Sequence, residues 1–139
     1  MKFPPFLKKG DTIGIVATAR KVSPKEITAA LTAIESQGYK TVLAQNIYTE
    51  DHQFSGTDSM RANGVNEMLN NPTVKALWCA RGGYGSVRLI DKIDWHAFDK
   101  TPKWLCGFSD VTALHAHLQS MGIASIHCEM MLGFEKNTV

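Results

Sequence analysis

Residues 103–114 combine a strand pattern and a helix pattern with almost nothing between them. The apolar run from Trp104 to Phe108 predicts a strand that is buried on both faces. From Val111 onward the apolar residues recur with helical spacing, which predicts a helix. Ser109 lies at the junction, where it would project its hydroxyl from the carboxyl end of the strand. We therefore expect an α/β domain organised around this junction.

A serine at such a junction has the position of a nucleophile elbow. In that arrangement the hydroxyl attacks a carbonyl, and backbone N–H groups bind the resulting oxyanion. Gly107 would allow the chain to turn tightly. The alternative is that Ser109 or Asp110 is an ordinary N-cap of the following helix. The spacing alone leaves both interpretations open.

The composition fits one globular domain and excludes several classes of protein. The 139 residues are 44% hydrophobic and 20% charged, with a formal net charge of +2, which is too small to indicate nucleic-acid binding. No apolar run approaches the ~20 residues of a membrane span, and no secretory signal is visible, so a cytoplasmic location is expected. Three separated cysteines, Cys79, Cys106 and Cys128, predict buried thiols and neither a disulfide framework nor a zinc site.

Strand and helix patterns alternate along the rest of the chain. Strands are predicted at 12–18, 39–44, 73–80 and 123–127, with helices at 24–37, 57–70 and after 86, a helical turn at 94–99, and no assigned structure at 130–139. This alternation predicts a mainly parallel sheet of about five strands with helices on both faces, of the Rossmann or flavodoxin type. No Gly-x-Gly-x-x-Gly follows the first strand, so a dinucleotide fingerprint is absent.

The helices are predicted with specific ends and faces. Ser23 and Glu26 form a capping box at the start of the first helix, and Gly38 is its left-handed C′ residue. The expected inner positions are Met60, Val65, Met68 and Leu69 in the second helix and Val87, Leu89, Ile90 and Ile93 in the helix after the glycine-rich loop.

The glycine-rich loop at 80–86 is the second informative stretch. Gly82, Gly83 and Gly85 free backbone N–H groups to bind a phosphate or an oxyanion, although a plain flexible turn is an equally good interpretation. The Gly-Lys-Ser/Thr ending of a Walker A loop is missing. Because this loop and Ser109 follow neighbouring parallel strands, we expect them to converge in one crevice.

Three cationic residues flank this predicted crevice. Arg81 opens the glycine-rich loop, and Arg20 and Lys21 lie in the loop after the first strand. Each is a candidate to bind an anionic substrate. The alternatives are a structural salt bridge for Arg81 and solvated loop charges for Arg20 and Lys21.

Several motifs taken together resemble the LD-carboxypeptidase family of serine peptidases. They are Leu7–Asp11, Arg81–Gly85, Arg88–Leu89, Pro102–Lys103, Gly107–His115 and Ile126–His127. Their order and spacing match the family over essentially the whole chain. The family includes muramoyl-tetrapeptide carboxypeptidases and microcin C self-immunity proteins.

The resemblance implies a cytoplasmic hydrolase that acts in peptidoglycan recycling. Its substrate would be a murein tetrapeptide, cleaved between the L-centre of lysine or diaminopimelate and a terminal D-alanine. The resemblance implies neither a metal nor an organic cofactor. It aligns Ser109 with the nucleophile, and it assigns the backbone N–H groups of Asp110 and Gly83 to the oxyanion hole. The substrate-binding residues that follow from it are Gly82, Tyr84 and Arg81.

The family uses a Ser-Glu-His triad, whose roles match those of Ser-His-Asp. No residue of this sequence aligns with the glutamate or the histidine. Residues 1–139 are therefore expected to be an N-terminal domain whose C-terminal domain is missing, and to be inactive alone. His127 is the one local candidate for a base, because His115 and His117 point away from the helix start and are expected to pack or to be solvated.

Two alternatives to the murein peptidase remain. One is a peptidase of the microcin C self-immunity type, and the other is a non-catalytic module that binds an anion, with Ser109 as an N-cap. Homo-oligomers are also possible through apolar surface that a C-terminal domain would cover. The sequence departs from the family pattern at Thr18–Arg20, where many members carry Pro-Ser, and at Cys128–Met130.

Overall fold

The computed structural model describes residues 1–134. Its strands are β1 (Thr12–Val16), β2 (Lys40–Leu43), β3 (Val74–Cys79), β4 (Trp104–Gly107) and β5 (Ile126–His127). Its α-helices are α1 (Pro24–Ser36), α2 (Asp58–Asn70), α3 (Trp95–Lys100) and α4 (Thr112–Ser120), and Ser86–Leu89 and Ser109–Val111 are short 3₁₀ helices.

The strands form one five-stranded sheet in the order β2-β1-β3-β4-β5. All of its pairings are parallel, which confirms the predicted α/β fold. The chain moves outward from β1 to β2 and then returns to the other side of β1 as β3. Ligands of such sheets bind at this reversal, outside the carboxyl ends of the strands. The loops after β1 and β3 therefore border the expected crevice.

Each face of the sheet has its own hydrophobic core, because successive side chains of a strand point to opposite faces. Ile13 and Ile15 of β1 pack with Ile27 and Ile34 of α1. Val16 belongs to the other core, which contains the buried residues of α2, α3 and α4. Helices therefore cover both faces, as predicted.

The predicted ends of α1 are confirmed. The Glu26 carboxylate accepts a hydrogen bond of 2.9 Å from the Ser23 N–H group, and Pro24 is the first helical residue. Gly38 follows the helix with a φ of +92°, the left-handed conformation that glycine adopts without a steric penalty.

One predicted inner position is wrong in each of two helices, whereas Val65, Met68, Leu69, Leu89 and Ile93 are buried as predicted. Met60 of α2 is 40% exposed, and the inner position of that turn is taken by Arg61. The predicted helix after residue 86 is only a short 3₁₀ helix in which Val87 is half exposed. Ser86 and Leu89 are its buried residues, and a spacing of three places side chains on one face of a 3₁₀ helix.

Strand β5 is shorter than the predicted strand at 123–127. Its first predicted residue, Ile123, instead forms a bridge with Lys2. Backbone hydrogen bonds from Lys2 to the Gly122 carbonyl and from Ala124 to the Lys2 carbonyl fix the amino-terminal segment there. Residues 135–139 of the unassigned stretch lie outside the described residues. Between residues 1 and 134, no helix has the length and apolar character to cross a membrane.

Candidate active site

Ser109 is exposed and lies two residues beyond the end of β4, at the start of a 3₁₀ helix that leads into α4. Its φ is +58°. L-residues rarely adopt this left-handed conformation, which costs about 1 kcal/mol or more. A strand, a strained serine and a helix in direct succession are the elements of a nucleophile elbow.

The structure does not show the N-cap arrangement for Ser109 or Asp110. The cap residue of α4 is Val111, and no side chain caps that helix. The Asp110 carboxylate instead accepts a 3.0 Å hydrogen bond from the Ser86 N–H group. This bond connects the elbow to the end of the glycine-rich loop. Because the Ser109 hydroxyl does not cap α4, it is available for another role.

The glycine-rich loop lies directly against the elbow, which confirms the expected convergence. A Cβ built on the buried Gly82 would lie 3.5 Å from the Asp110 nitrogen and 3.3 Å from its Cβ, so a side chain there would crowd the elbow. Gly83 and Tyr84 are exposed and have φ values of +97° and +111°. The oxyanion-hole roles of the Gly83 and Asp110 N–H groups, and the substrate contacts of Gly82 and Tyr84, remain predictions.

A fully buried arginine, Arg61, lies beneath the two loops. Its guanidinium donates hydrogen bonds to the carbonyls of Thr18 (2.7 Å), Gly85 (3.0 Å) and Gly56 (3.2 Å). It also pairs with the Asp58 carboxylate. Burial lowers the pKa of Arg61, while the charge of Asp58 raises it. Arg61 therefore holds together the loops that follow β1 and β3.

A second polar contact supports the same loops. The hydroxyls of Thr18 and Ser86 lie 2.8 Å apart and both residues are buried. The sequence patterns did not predict this polar layer. Its available signal was the position of Arg61, which precedes Val65 and Met68 by four and seven residues and so shares their apolar stripe.

Arg81 is engaged with the start of α1. Its guanidinium donates a 3.2 Å hydrogen bond to the Lys21 carbonyl and lies 3.9 Å from the Glu26 carboxylate. This is the structural salt bridge that the sequence left open, and a role of Arg81 in substrate binding remains a prediction. Lys21 forms a 3.2 Å ion pair with Glu50.

The three histidines near the elbow have different environments. His115 is partly buried, with its ring nitrogens 2.6 Å from the Ser125 hydroxyl and 2.9 Å from the Gly107 carbonyl. His117 packs on Trp95 with ring centroids 4.2 Å apart. His127 is exposed in β5 and pairs with Gly107 of β4, so its predicted place beside the elbow strand is confirmed. Its role as a base remains a prediction.

The three cysteines are free thiols, two of them buried as predicted and Cys128 only partly buried. Burial raises the pKa of Cys79 to about 12. A hydrogen bond between Cys106 and Cys128 lowers the pKa of Cys128 to about 7 and raises that of Cys106. Within residues 1–134, no three His, Cys, Asp or Glu side chains form a group that would hold a metal ion.

Fold and site define an α/β domain with an exposed serine at a strand-to-helix turn, facing a glycine-rich loop. Residues 13–128 match the family described as the LD-carboxypeptidase N-terminal domain, and the chain belongs to this family. A probable murein peptide carboxypeptidase of Bacillus subtilis is 35% identical over 129 residues, which are 92% of this chain and 40% of that protein.

Solved structures of relatives share the fold. An MccF-like protein from Bacillus anthracis superposes with a TM-score of 0.88 at 27% identity, over 94% of this chain and 41% of that one. MccF in complex with glutamyl sulfamoyl guanosine gives a TM-score of 0.84 at 28% identity, over 91% and 39% of the two chains. The chain thus spans about 40% of the length of the relatives that it matches.

Proposed function

We propose that this chain is the N-terminal, nucleophile-bearing domain of a cytoplasmic serine LD-carboxypeptidase of peptidoglycan recycling. The substrate is a murein tetrapeptide, and the bond cleaved joins the L-centre of a diamino acid to a terminal D-alanine. The observation that carries the proposal is the backbone of Ser109. An exposed serine kept in a left-handed conformation against a glycine-rich loop has a structural cost that a nucleophile explains.

In the proposed reaction the Ser109 hydroxyl oxygen attacks the carbonyl carbon of the diamino acid. The Asp110 and Gly83 N–H groups donate to the oxyanion of the tetrahedral intermediate. The hydroxyl proton passes through a histidine to the amine of D-alanine, which leaves as an acyl-enzyme forms. Water then releases the shortened peptide from Ser109. The histidine, and the glutamate that orients it, come from a C-terminal domain in this proposal.

The test compares this chain with the full-length protein that contains it. Release of D-alanine from a tetrapeptide ending in diaminopimelate and D-alanine is the readout. We expect turnover from the full-length protein and little or none from residues 1–139, because a serine without its base is a poor nucleophile. Ser109→Ala in the full-length protein should lower kcat by about 10⁴-fold or more.

The matched control is Ser59→Ala, which removes the hydroxyl of an exposed serine in the first turn of α2 and should leave turnover unchanged. Normal turnover by residues 1–139 would contradict the two-domain proposal. If that activity disappeared in a His127→Ala variant, His127 would be the base. A serine-directed phosphonate that labels Ser109 in the full-length protein would favour the enzyme, whereas anion binding without labelling would favour a non-catalytic module.

A second candidate activity follows from the similarity to MccF, whose solved complex contains glutamyl sulfamoyl guanosine. In that case the serine would hydrolyse the amide of an aminoacyl sulfamoyl nucleoside with the same residues. Parallel kcat/KM measurements on that compound and on the tetrapeptide would identify the better substrate. A preference for the nucleoside would transfer the proposal to this second activity.

A further inference from the structure

We propose that Arg20 binds the terminal carboxylate of the peptide and so restricts cleavage to the last residue. The inference rests on the proposed function, because only a carboxypeptidase needs to distinguish a chain end from an internal bond. The chain end carries a negative charge that an internal residue lacks, and an arginine recognises a carboxylate through two parallel N–H···O bonds.

The backbone of Arg20 is fixed at the crevice. Its N–H group donates to the Gly82 carbonyl at 3.3 Å, and the residue forms an antiparallel bridge with Phe54. Its side chain crosses Gly83, since a Cβ built on that glycine would lie 2.5 Å from the Arg20 Cδ and 3.1 Å from its Cγ. The guanidinium is therefore carried on a stem that lies against the glycine-rich loop.

Among the described residues of this edge, Arg20 is the cation whose side chain has no partner. Lys21 pairs with Glu50, Arg81 lies beside Glu26, and the Arg88 Nε donates to Asp58 at 3.0 Å. Arg61 is buried and pairs with Asp58 as well. Across residues 1–134, the exposed Arg20 guanidinium makes neither a hydrogen bond nor an ion pair. A carboxylate that enters the crevice can therefore pair with the Arg20 guanidinium without displacing a carboxylate of the described residues.

The spacing of the loop matches the spacing of the substrate. Gly82 contacts Asp110 of the elbow, whereas the next residue, Gly83, contacts Arg20. In the peptide, the scissile carbonyl and the terminal carboxylate are likewise separated by one residue, or ~3.8 Å between Cα atoms. An oxyanion bound by the Asp110 and Gly83 N–H groups would therefore lie beside the Arg20 stem, and the D-alanine carboxylate, one residue further along the peptide, would come within reach of the guanidinium.

The test measures kcat/KM of the full-length protein on a peptide ending in D-alanine and on the same peptide ending in D-alaninamide. We expect the wild type to prefer the acid by about 30-fold, mainly through KM, because a charge-assisted hydrogen bond is lost with the amide. Arg20→Gln should lower kcat/KM on the peptide acid to the value for the peptide amide, and it should leave kcat/KM on the amide unchanged. Arg20→Lys should restore part of the preference.

The control is Lys21→Gln, which removes the neighbouring, already paired charge and should leave the preference intact. Equal losses on both substrates in Arg20→Gln would overturn the proposal, because they would indicate a merely structural role. A wild type that does not distinguish acid from amide would overturn it as well.

A binding measurement separates this proposal from the proposed function. Saturation-transfer NMR with N-acetyl-D-alanine and its amide is applied to the Ser109→Ala form of the full-length protein, with and without Arg20→Gln. Binding of the acid that requires Arg20, with no turnover of any peptide by the wild type, would retain the carboxylate site and reject the peptidase. Turnover without a preference for the acid would retain the peptidase and reject the carboxylate site. The absence of both turnover and Arg20-dependent binding of the acid would reject the two proposals together.

Discussion

The two edges of the sheet differ in which residues adopt a left-handed backbone. At the amino edge, Gly10 and Gly38 precede β1 and β2 with φ values of +92° each, and glycine adopts this conformation without strain. At the carboxyl edge, Gly83 does the same, but Tyr84 and Ser109 also adopt positive φ values although both carry side chains. The amino edge is thus built for stability, whereas the carboxyl edge keeps strain at residues that face the candidate site.

The two ends of helix α2 also differ. A buried cation binds backbone carbonyls at each end, but the two cations have different roles. In its first turn, Arg61 binds carbonyls of three loops and the Asp58 carboxylate. At its last turn, the buried Lys103 donates to the carbonyls of Met68 (2.8 Å) and Asn71 (2.7 Å). Arg61 therefore positions the loops of the site, while Lys103 only terminates a helix.

The largest effect is expected for Arg61→Met. Four acceptors would lose their buried donor, so we expect the free energy of unfolding to fall by about 4 kcal/mol. Urea denaturation measures this loss. Arg88→Met is the matched control, because Arg88 also pairs with Asp58 but its side chain is 43% exposed, and its removal should cost at most about 1 kcal/mol. Equal losses in the two variants would refute the role given to Arg61.

The buried Lys103 should make the free energy of unfolding depend on pH. Burial, and then the nearby charge of Lys75, lower the pKa of Lys103 to about 8, whereas an unfolded lysine titrates near ~10.4. Between these values the unfolded chain binds the proton and the folded chain does not. The free energy of unfolding of the wild type should therefore rise with pH in this window, by up to about 3 kcal/mol relative to Lys103→Met.

Denaturation curves from pH 7 to pH 10.5 test this expectation. Lys75→Met keeps Lys103 but removes the repelling charge, so it should move the rise to higher pH. Parallel curves for the wild type and Lys103→Met would show that Lys103 titrates alike in both states. The pKa of Lys103 would then be the same in the folded and the unfolded chain, and the expected effect of its burial would be refuted.

The sequence predicted the fold well because strands, capping signals and glycines are local features. The parallel character of the sheet, both ends of α1 and the convergence of the two loops all followed from such features. The inner position in the first turn of α2 was assigned wrongly, because hydrophobicity alone favours Met60 over Arg61. A buried arginine depends on acceptors supplied by Thr18 and Gly85, which are distant in sequence. No local pattern predicts such a partnership.

The candidate site was only partly accessible to the same reasoning. The junction of a strand pattern and a helix pattern made Ser109 a candidate, and its role as the nucleophile stays a prediction. The distinction between Arg20 and Arg81 was not, because it depends on which arginine finds a carboxylate, and Glu26 is close to Arg81 only after α1 has packed beside the loop. Pairing of surface charges is decided by tertiary structure, so the sequence left both arginines as candidates.

The smallest effect is expected for the strain at Ser109. Glycine adopts a φ of +58° freely, so Ser109→Gly should raise the free energy of unfolding by about 1 kcal/mol, although the unfolded chain gains some entropy. Ser59→Gly is the matched control, since Ser59 lies in the first turn of α2. Glycine should destabilise that position by about 0.5 kcal/mol, because serine is itself a weaker helix former than alanine. Urea denaturation of the two variants measures both changes.

Opposite signs in this pair would show that the carboxyl edge carries strain that the serine itself imposes. A loss of stability in both variants would instead mean that the backbone at residue 109 is relaxed, and the contrast between the edges would fail. Under the proposed function, Ser109→Gly in the full-length protein should also abolish turnover, because it removes the hydroxyl. A gain in stability coupled to a loss of activity is what a strained nucleophile predicts.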